Sequence, residues 1–326
     1  MKFNEIDKQG TVDGFALVKS CDMKTAKNGS NYLDIVLADA DEEMAAKLWD
    51  YREGVSPKVE ANTVVRVRGV VQQYNNQPQM KIERIRPTGP ADNVKIEDFV
   101  PAVEYSGEFM MGEIQKIVES FQDIPLKTLI KAVLDEYGPR MLDCPAAFRL
   151  HHAVRGGLLY HTLSILRLAE ALCKIYPTVD RDLLFAGAIL HDMAKVEEFE
   201  LSPLGLVEKY TPEGALVGHL VLGAIAVNRI GTELGTPKET LTLLEHMLVS
   251  HHGQPEFGAA VRPLFLEAEI LSQLDLLDAR IHEIERVTGE VIPGEFSNRV
   301  WSLDDRKLYN HGRKIITREA NLSGNK

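Results

Sequence analysis

Between Gly14 and Pro87 the chain alternates apolar and polar residues with a period of two. In "TVVRVRGVVQQY" (63–74), Val65 and Val67 alternate with Arg66 and Arg68, the signature of a half-buried strand. Similar strands are predicted over "FALVKSCDMKT" (15–25), "YLDIVLADA" (32–40), "MAAKLWD" (44–50) and "QMKIERIRP" (79–87), the last with Met80, Ile82 and Ile85 as apolar positions. Asn28-Gly29 is a strong hairpin signal between the first two strands, and "NNQP" marks the turn before the last. A short helical piece is predicted at 51–60. Five short strands with that interruption predict a small Greek-key barrel of the OB type over 1–87.

Residues 88–107, rich in Pro, Gly and charge, show no period and read as a linker. Beyond them the apolar spacing turns to three and four, the helical pattern. Helices are predicted in "GEIQKIVESFQ", "LKTLIKAVLDEYG", "GGLLYHTLSILRLAEALCKIY", "RDLLFAGAILHDMAKV", "GALVGHLVLGAIAVNRIGTEL", "KETLTLLEHMLVSHHG" and "LFLEAEILSQLDLLDARIHEIERV". Gly138 and Gly253 sit where C-terminal caps belong. The expected fold class is multi-domain α+β, with the barrel followed by an all-α bundle over 108–310. A tail over 311–326 ends in a loose "NLSGNK".

Composition changes this picture little. A length of 326 residues suits two domains. The charged N-terminus has no signal-type apolar stretch, and no apolar run approaches the roughly 20 residues that span a bilayer. Cys21, Cys144 and Cys173 are far apart with no CxxC, which suits a reducing compartment. A cytoplasmic protein without a membrane partner is therefore expected. The net charge of −11 lies wholly beyond residue 90, since residues 1–90 hold 13 basic and 13 acidic side chains. Acidity of that kind is compatible with a phosphate substrate when carboxylates hold metal ions.

Two sets of residues carry candidate chemistry. On the barrel, Tyr32, Trp49, Tyr51 and Tyr74 are candidate base-stacking aromatics, and Lys24, Lys27, Arg66, Arg68 and Lys81 are candidate phosphate contacts. The competing role for Tyr32 and Trp49 is core packing. On the helices, "LLFAGAILHDMAKVEEF" puts His191 and Asp192 directly after an apolar run, where both need partners. His161, His219, the pair His251-His252 and Asp275 fall in similarly apolar helices. Taken singly, a buried His is usually a satisfied core residue, but a shared divalent metal would satisfy the whole set together. Imidazole with carboxylate suits Mn, Fe, Co, Ni or Zn, and the lack of thiolates argues against a closed structural zinc site.

"HDMAK" after an apolar run, a preceding His in "GGLLYHT" and a later Asp in "ILSQLDLLDA" resemble the HD-domain metal-dependent phosphohydrolases over about 110–290. By that resemblance His161, His191, Asp192 and Asp275 ligate one metal, Asp192 bridges to a second, and His219, His251 and His252 serve two-metal chemistry. The Gly-Tyr-Pro signature of the HD-GYP class is missing, and Gly157 stands where three-metal members carry Glu. The resemblance thus implies neither a third metal nor cyclic-di-GMP as substrate. "VKSCDMKTAKNGSNYLDIVLADADEEMAAKLWD", "HHAVRGGLLYHT", "AGAILHDMAK", "YTPEGALVGHL" and "SHHG" narrow the likeness to the YhaM-type 3′-5′ exoribonucleases, with Tyr160 where many relatives have Glu.

The resemblance implies hydrolysis of single-stranded RNA, with single-stranded DNA as an alternative, to 5′-mononucleotides. Two divalent ions would activate water there, Mn being the leading candidate and Co, Fe, Mg or Zn alternatives. Asp192 and Lys195 are the candidate catalytic residues, because Lys195 follows His191 by four positions and shares its helical face. Asp278 is expected to orient a ligand His. His246 is expected to pack or support, and His152 to line the pocket. Competing functions are a nucleotide phosphohydrolase with the barrel as accessory, and a non-catalytic nucleic-acid-binding regulator. A homo-oligomer is a further expectation.

Overall fold

Strand register accounts for the first unit. In the computed structural model β1 (Gly10–Thr25), β2 (Asn31–Ala38), β3 (Glu43–Leu48), β4 (Thr63–Tyr74) and β5 (Gln77–Pro87) close a barrel in the order β1-β2-β3-β5-β4. All neighbours are antiparallel except β3 and β5, which run parallel. The period-two pattern turns Ile35, Leu37, Val65, Val67, Met80 and Ile82 inward, while Arg66 and Arg68 face outward. Strand β1 is long enough to pair with both β2 and β4, and its register shifts between Val18 and Ser20. A second shift falls between Arg68 and Gly69. A Cβ at Gly69 would lie 2.4 Å from the Lys81 carbonyl oxygen, so only glycine permits that approach.

The structure describes residues 3, 10–27, 29–39, 43–74, 77–94, 98–100, 102–147, 154–202, 205–314 and 320–322. They form two compact units, 1–102 with 202–206 and 103–201 with 207–326. Gly29 adopts φ 84° in the first hairpin turn; Asn28, read with it as the turn signal, lies outside the described residues. The helical piece expected at 51–60 is instead irregular, with one turn at 53–55. Gly54 at φ 76° and Pro57 leave too few consecutive residues to repay helix nucleation.

The second unit contains α1 (Gly107–Glu119), α2 (Ile124–Met141), α3 (Gly157–Ile175), α4 (Arg181–Leu190), α5 (Lys195–Glu198), α6 (Pro212–Leu216), α7 (His219–Leu234), α8 (Lys238–Ser250) and α9 (Leu266–Gly289). Side-chain caps open several of them: Ser106, Asp123, Asp180 and Thr211 each accept a backbone N–H of the first turn. Every residue from Gly157 to Leu166 in α3, and from Asp182 to Leu190 in α4, is buried. These two helices, with α8 and α9, surround the functional side chains. Gly187 lets α4 approach α8, since a Cβ there would meet the Met247 Cε at 2.2 Å.

Several details depart from the periodicity. The helix expected through 181–196 breaks at His191–Ala194, and that through 214–234 breaks at Gly218, where φ is 77°. Gly138 is no cap: it lies inside α2, where its missing side chain admits Met111 at contact distance. Gly253 lies just beyond the end of α8, whose C-cap is His251; at φ 76° its N–H donates to the Ser250 carbonyl. Two small hairpins join the bundle, β6 (Phe199–Leu201) with β7 (Val207–Tyr210) and β8 (Phe296–Val300) with β9 (Arg306–Tyr309). Nor is the start of "NLSGNK" loose. Leu322 is buried in the helical core, its carbonyl accepts from the Arg167 Nε, and the Tyr160 hydroxyl accepts the Ala320 N–H at 2.6 Å. Among the described residues no helix is long and apolar enough to cross a membrane.

Candidate metal centre and nucleic-acid interface

Helix ends bring the site together. His161 lies in the second turn of α3, His191 directly follows α4, His251 and His252 follow α8, and His219 opens α7. Asp275 and Asp278 share one face of α9. At the centre sits Asp192, 2% exposed. Its Oδ2 lies 3.4 Å from the His191 Nε2 and 3.8 Å from the His161 Nε2; its Oδ1 lies 3.2 Å from the His219 Nε2 and 3.8 Å from the His251 Nε2. Asp275 Oδ1 is 3.0 Å from the His161 Nε2. The ligating atoms of His161, His191 and Asp192 lie within 4.8 Å of one another, as do those of His219, His251 and His252.

All five imidazoles are oriented the same way. The Nδ1–H groups of His191, His251 and His252 donate to the carbonyls of Ala188, Leu248 and Phe257 at 2.8–2.9 Å. Those of His161 and His219 donate to carboxylates, Asp278 at 2.7 Å and Glu198 at 3.0 Å. Fixing Nδ1–H leaves an Nε2 lone pair to face the centre, the arrangement of metal-ligating histidines. Asp192 Oδ1, His219 Nε2 and His251 Nε2 are buried without a hydrogen bond among the described residues. Orphaned polar atoms that converge in this way fit a shared cation, and the donors are nitrogen and oxygen alone.

The electrostatics agree. Burial alone would raise the Asp192 pKa, but Lys195, His191 and His219 hold its carboxyl well below the usual range. Burial would lower His161; Asp275 and Asp278 override it and raise the imidazole to about 10. His219 is likewise raised, against its burial, by Asp192 and Glu198. Burial pushes His251 well down, helped by His252 and His191, and lowers His252 as well. The carboxylates thus hold negative charge in a buried setting, and divalent ions would displace the protons they draw onto His161 and His219.

Lys195 is buried, not a surface residue past a helix end, and its Nζ lies 2.6 Å from Asp192 Oδ2. His246 stands half-buried on α8, where it accepts the Leu264 N–H and packs on Phe265. His152 lies outside the described residues. Glu198 went unread in the sequence because nothing along the chain separates it from Glu197.

On the barrel, Tyr32 and Trp49 stack at 4.7 Å, and the Lys47 ammonium lies 5.1, 5.6 and 5.9 Å from the rings of Tyr32, Trp49 and Tyr74. Trp49 is 40% exposed and Tyr74 59%, so neither is core. Lys81 pairs in register with Lys47 on the same outward face. A groove of about 650 Å³ is lined by Trp49, Arg66, Arg68, Arg84 and Arg86, with Asp13 and Glu83 among them. Arg66 pairs with Asp13 at 3.1 Å and Arg68 with Glu83 at 3.7 Å. Lys24 is exposed and bonded to Asp34, and Lys27 is exposed in the first turn; neither lines the groove. Lys47 could have been read from the alternation of "MAAKLW", which puts it two residues from Trp49 on the outward side.

An HD-domain model matches residues 158–280, and a model of an OB-fold nucleic-acid-binding domain matches 15–88. Fold and site therefore define an HD-domain hydrolase joined to an OB-fold nucleic-acid-binding module. The chain is 41% identical over 300 residues to the 3′-5′ exoribonuclease YhaM of Listeria welshimeri, covering 92% of this chain and 95% of that protein. Against the YhaM of Bacillus licheniformis it is 36% identical over 306 residues, covering 94% and 96%. It belongs to the YhaM 3′-5′ exoribonuclease family. The second OB-fold domain of a Methanococcus maripaludis replication protein A aligns with 26% of this chain and 90% of its own at 20% identity and a TM-score of 0.21, too slight a likeness to add to this.

Proposed function

We propose that the chain is a metal-dependent 3′-5′ exoribonuclease that removes 5′-mononucleotides from single-stranded RNA, with the barrel holding the strand. The observation that carries this reading is the clustering of five histidines with Asp192 and Asp275, Asp192 lying between the two groups of imidazoles, in a chain that also bears an OB-fold. His161, His191, Asp192 and Asp275 would hold one divalent ion, and Asp192, His219, His251 and His252 a second. When bound, such ions supply Lewis-acid activation of water and neutralise phosphate charge. Lys195 tempers the charge of Asp192 and holds a proton at Nζ for the departing 3′ oxygen. The nitrogen and oxygen donors suit a first-row divalent ion, and Mn is proposed first, with Co, Fe, Mg or Zn as alternatives. Cytoplasmic location, homo-oligomer formation and a secondary activity on single-stranded DNA belong to the same proposal.

A time course on 5′-labelled single-stranded RNA tests it, with chelator-treated protein given back Mn, Mg, Co or Zn. A ladder that shortens from the 3′ end only with metal is expected. RNA left intact with every metal refutes the reading and points to free nucleotides as substrate.

On the barrel the expected contacts are stacking on Tyr32, Trp49 and Tyr74 and phosphate contacts from Lys47, Lys81, Arg66 and Arg68. Lys24, whose ammonium is bonded to Asp34, and Lys27, in the first turn, are proposed as weaker contacts. Trp49→Ala should weaken binding of a short single-stranded RNA by about 5- to 150-fold, as loss of one stacked base costs roughly 1–3 kcal/mol. Fluorescence anisotropy checks this, and unchanged affinity would remove Trp49 from the path of the strand.

A further inference from the structure

The segment "TPEGALVGH", conspicuous in the sequence, contributes one ligand and eight residues the mechanism does not use. Its geometry is organised around Glu198, a carboxylate only 7% exposed. The Thr211 N–H donates to the Glu198 carbonyl at 2.9 Å, and the Thr211 hydroxyl donates to the Glu197 carbonyl at 2.7 Å. The same hydroxyl accepts the Gly214 N–H at 2.9 Å, which caps α6. A Cβ at Gly214 would fall 2.4 Å from the Glu198 carbonyl oxygen, so α6 can lie against that backbone only with glycine there. The chain then turns at Gly218, at φ 77°, and presents both the N–H and the Nδ1–H of His219 to one carboxylate. Glu198 Oε1 takes the first at 3.3 Å and Oε2 the second at 3.0 Å.

Each cluster of ligands therefore contains one imidazole backed by a carboxylate, His161 by Asp278 and His219 by Glu198. The other three ligand histidines are backed by main-chain carbonyls. We infer that Glu198 is a positioning residue for the second cation, and that it sets the tautomer, aim and basicity of His219 independently of the first. This rests on the two-ion reading above. Side chains of this kind typically contribute 10- to 100-fold in metal affinity.

The test is equilibrium Mn binding, by calorimetry and by electron paramagnetic resonance, on the full chain and its Glu198→Ala, Glu198→Gln and Asp278→Ala variants. Wild type should hold two ions with a spin-coupled spectrum. Glu198→Ala should weaken one ion 10- to 100-fold and leave an uncoupled spectrum, with the other ion bound as in wild type. Glu198→Gln, whose amide oxygen can still accept the Nδ1–H, should recover part of that loss, and it stands in for the alanine variant if that variant does not fold. Asp278→Ala should weaken the other ion, so the double variant with Glu198→Ala weakens both. Two ions bound at wild-type strength in both Glu198 variants overturn the inference. If wild type still shortens RNA with metal, the proposed function stands regardless. A wild type that holds fewer than two ions overturns the inference, and one that holds none takes the function down with it.

Discussion

Asp192→Ala is expected to slow RNA shortening by at least about three orders of magnitude, the scale set by losing several kcal/mol of metal-derived stabilisation. Among the described residues Asp192 alone faces both groups of imidazoles, with Oδ2 toward His191 and His161 and Oδ1 toward His219 and His251. Its removal therefore weakens both ion positions, whereas loss of any one histidine weakens a single position. The substitution also strands the Lys195 ammonium, now 2.6 Å from Asp192 Oδ2 in a buried setting. Removing one partner of a buried ion pair destabilises by about 3–5 kcal/mol. Asp192→Asn, of equal size, is the companion variant that separates lost chemistry from lost structure. RNA affinity should be near wild type in both, because the stacking aromatics belong to the barrel. Single-turnover rates and anisotropy on the same samples check the pair. Either variant with activity within tenfold of wild type would remove Asp192 from the centre of the mechanism.

Stripping divalent ions should also lower the melting temperature of the helical unit by about 5–10 °C, a second and independent signature of the site. Three buried polar atoms (Asp192 Oδ1, His219 Nε2 and His251 Nε2) have no hydrogen bond among the described residues, and each such group costs about 1–3 kcal/mol. A ligand at 100 times its Kd stabilises the native state by about 2.7 kcal/mol, which for a unit of this size is several degrees in Tm. Calorimetric scans with chelator and with added Mn should separate by that margin. Superimposable scans would mean that no ion binds in the folded state.

Much of this was legible in the chain. The five strands announce themselves because a barrel buries every second residue, and "TVVRVRGVVQQY" shows the alternation directly. The ligand set is legible because His and Asp inside apolar helices each need a buried partner, and one shared centre satisfies them all. What escaped reading depends on contacts between distant segments. Gly138 looks like a helix stop, yet α2 continues through Pro139 to Met141 because packing against Met111 outweighs the local preference. Irregular backbone at 51–60 displaced the expected helix because Gly54 and Pro57 interrupt it. Glu198 is indistinguishable from Glu197 until β6, β7 and α6 fold back and bring His219 to one of them. Leu322 reads as a tail residue until its side chain meets the core. Lys47 was available from the alternation, which also puts Trp49 outward.

The hydrogen bonds from His191 to Ala188 and from His251 to Leu248 follow one recipe. In each, a helix ends on the ligand itself, and the ring closes a carbonyl three residues back that the helix would otherwise leave open. An asparagine could close such a carbonyl but is too short to reach the centre as well. A carboxylate could supply an oxygen ligand but has no proton to offer the carbonyl. At these two positions the end of a helix and the supply of a donor are a single requirement on a single residue. Random substitution there has no partial solutions to explore, so a library randomised at 191 or 251 should return histidine alone among active clones.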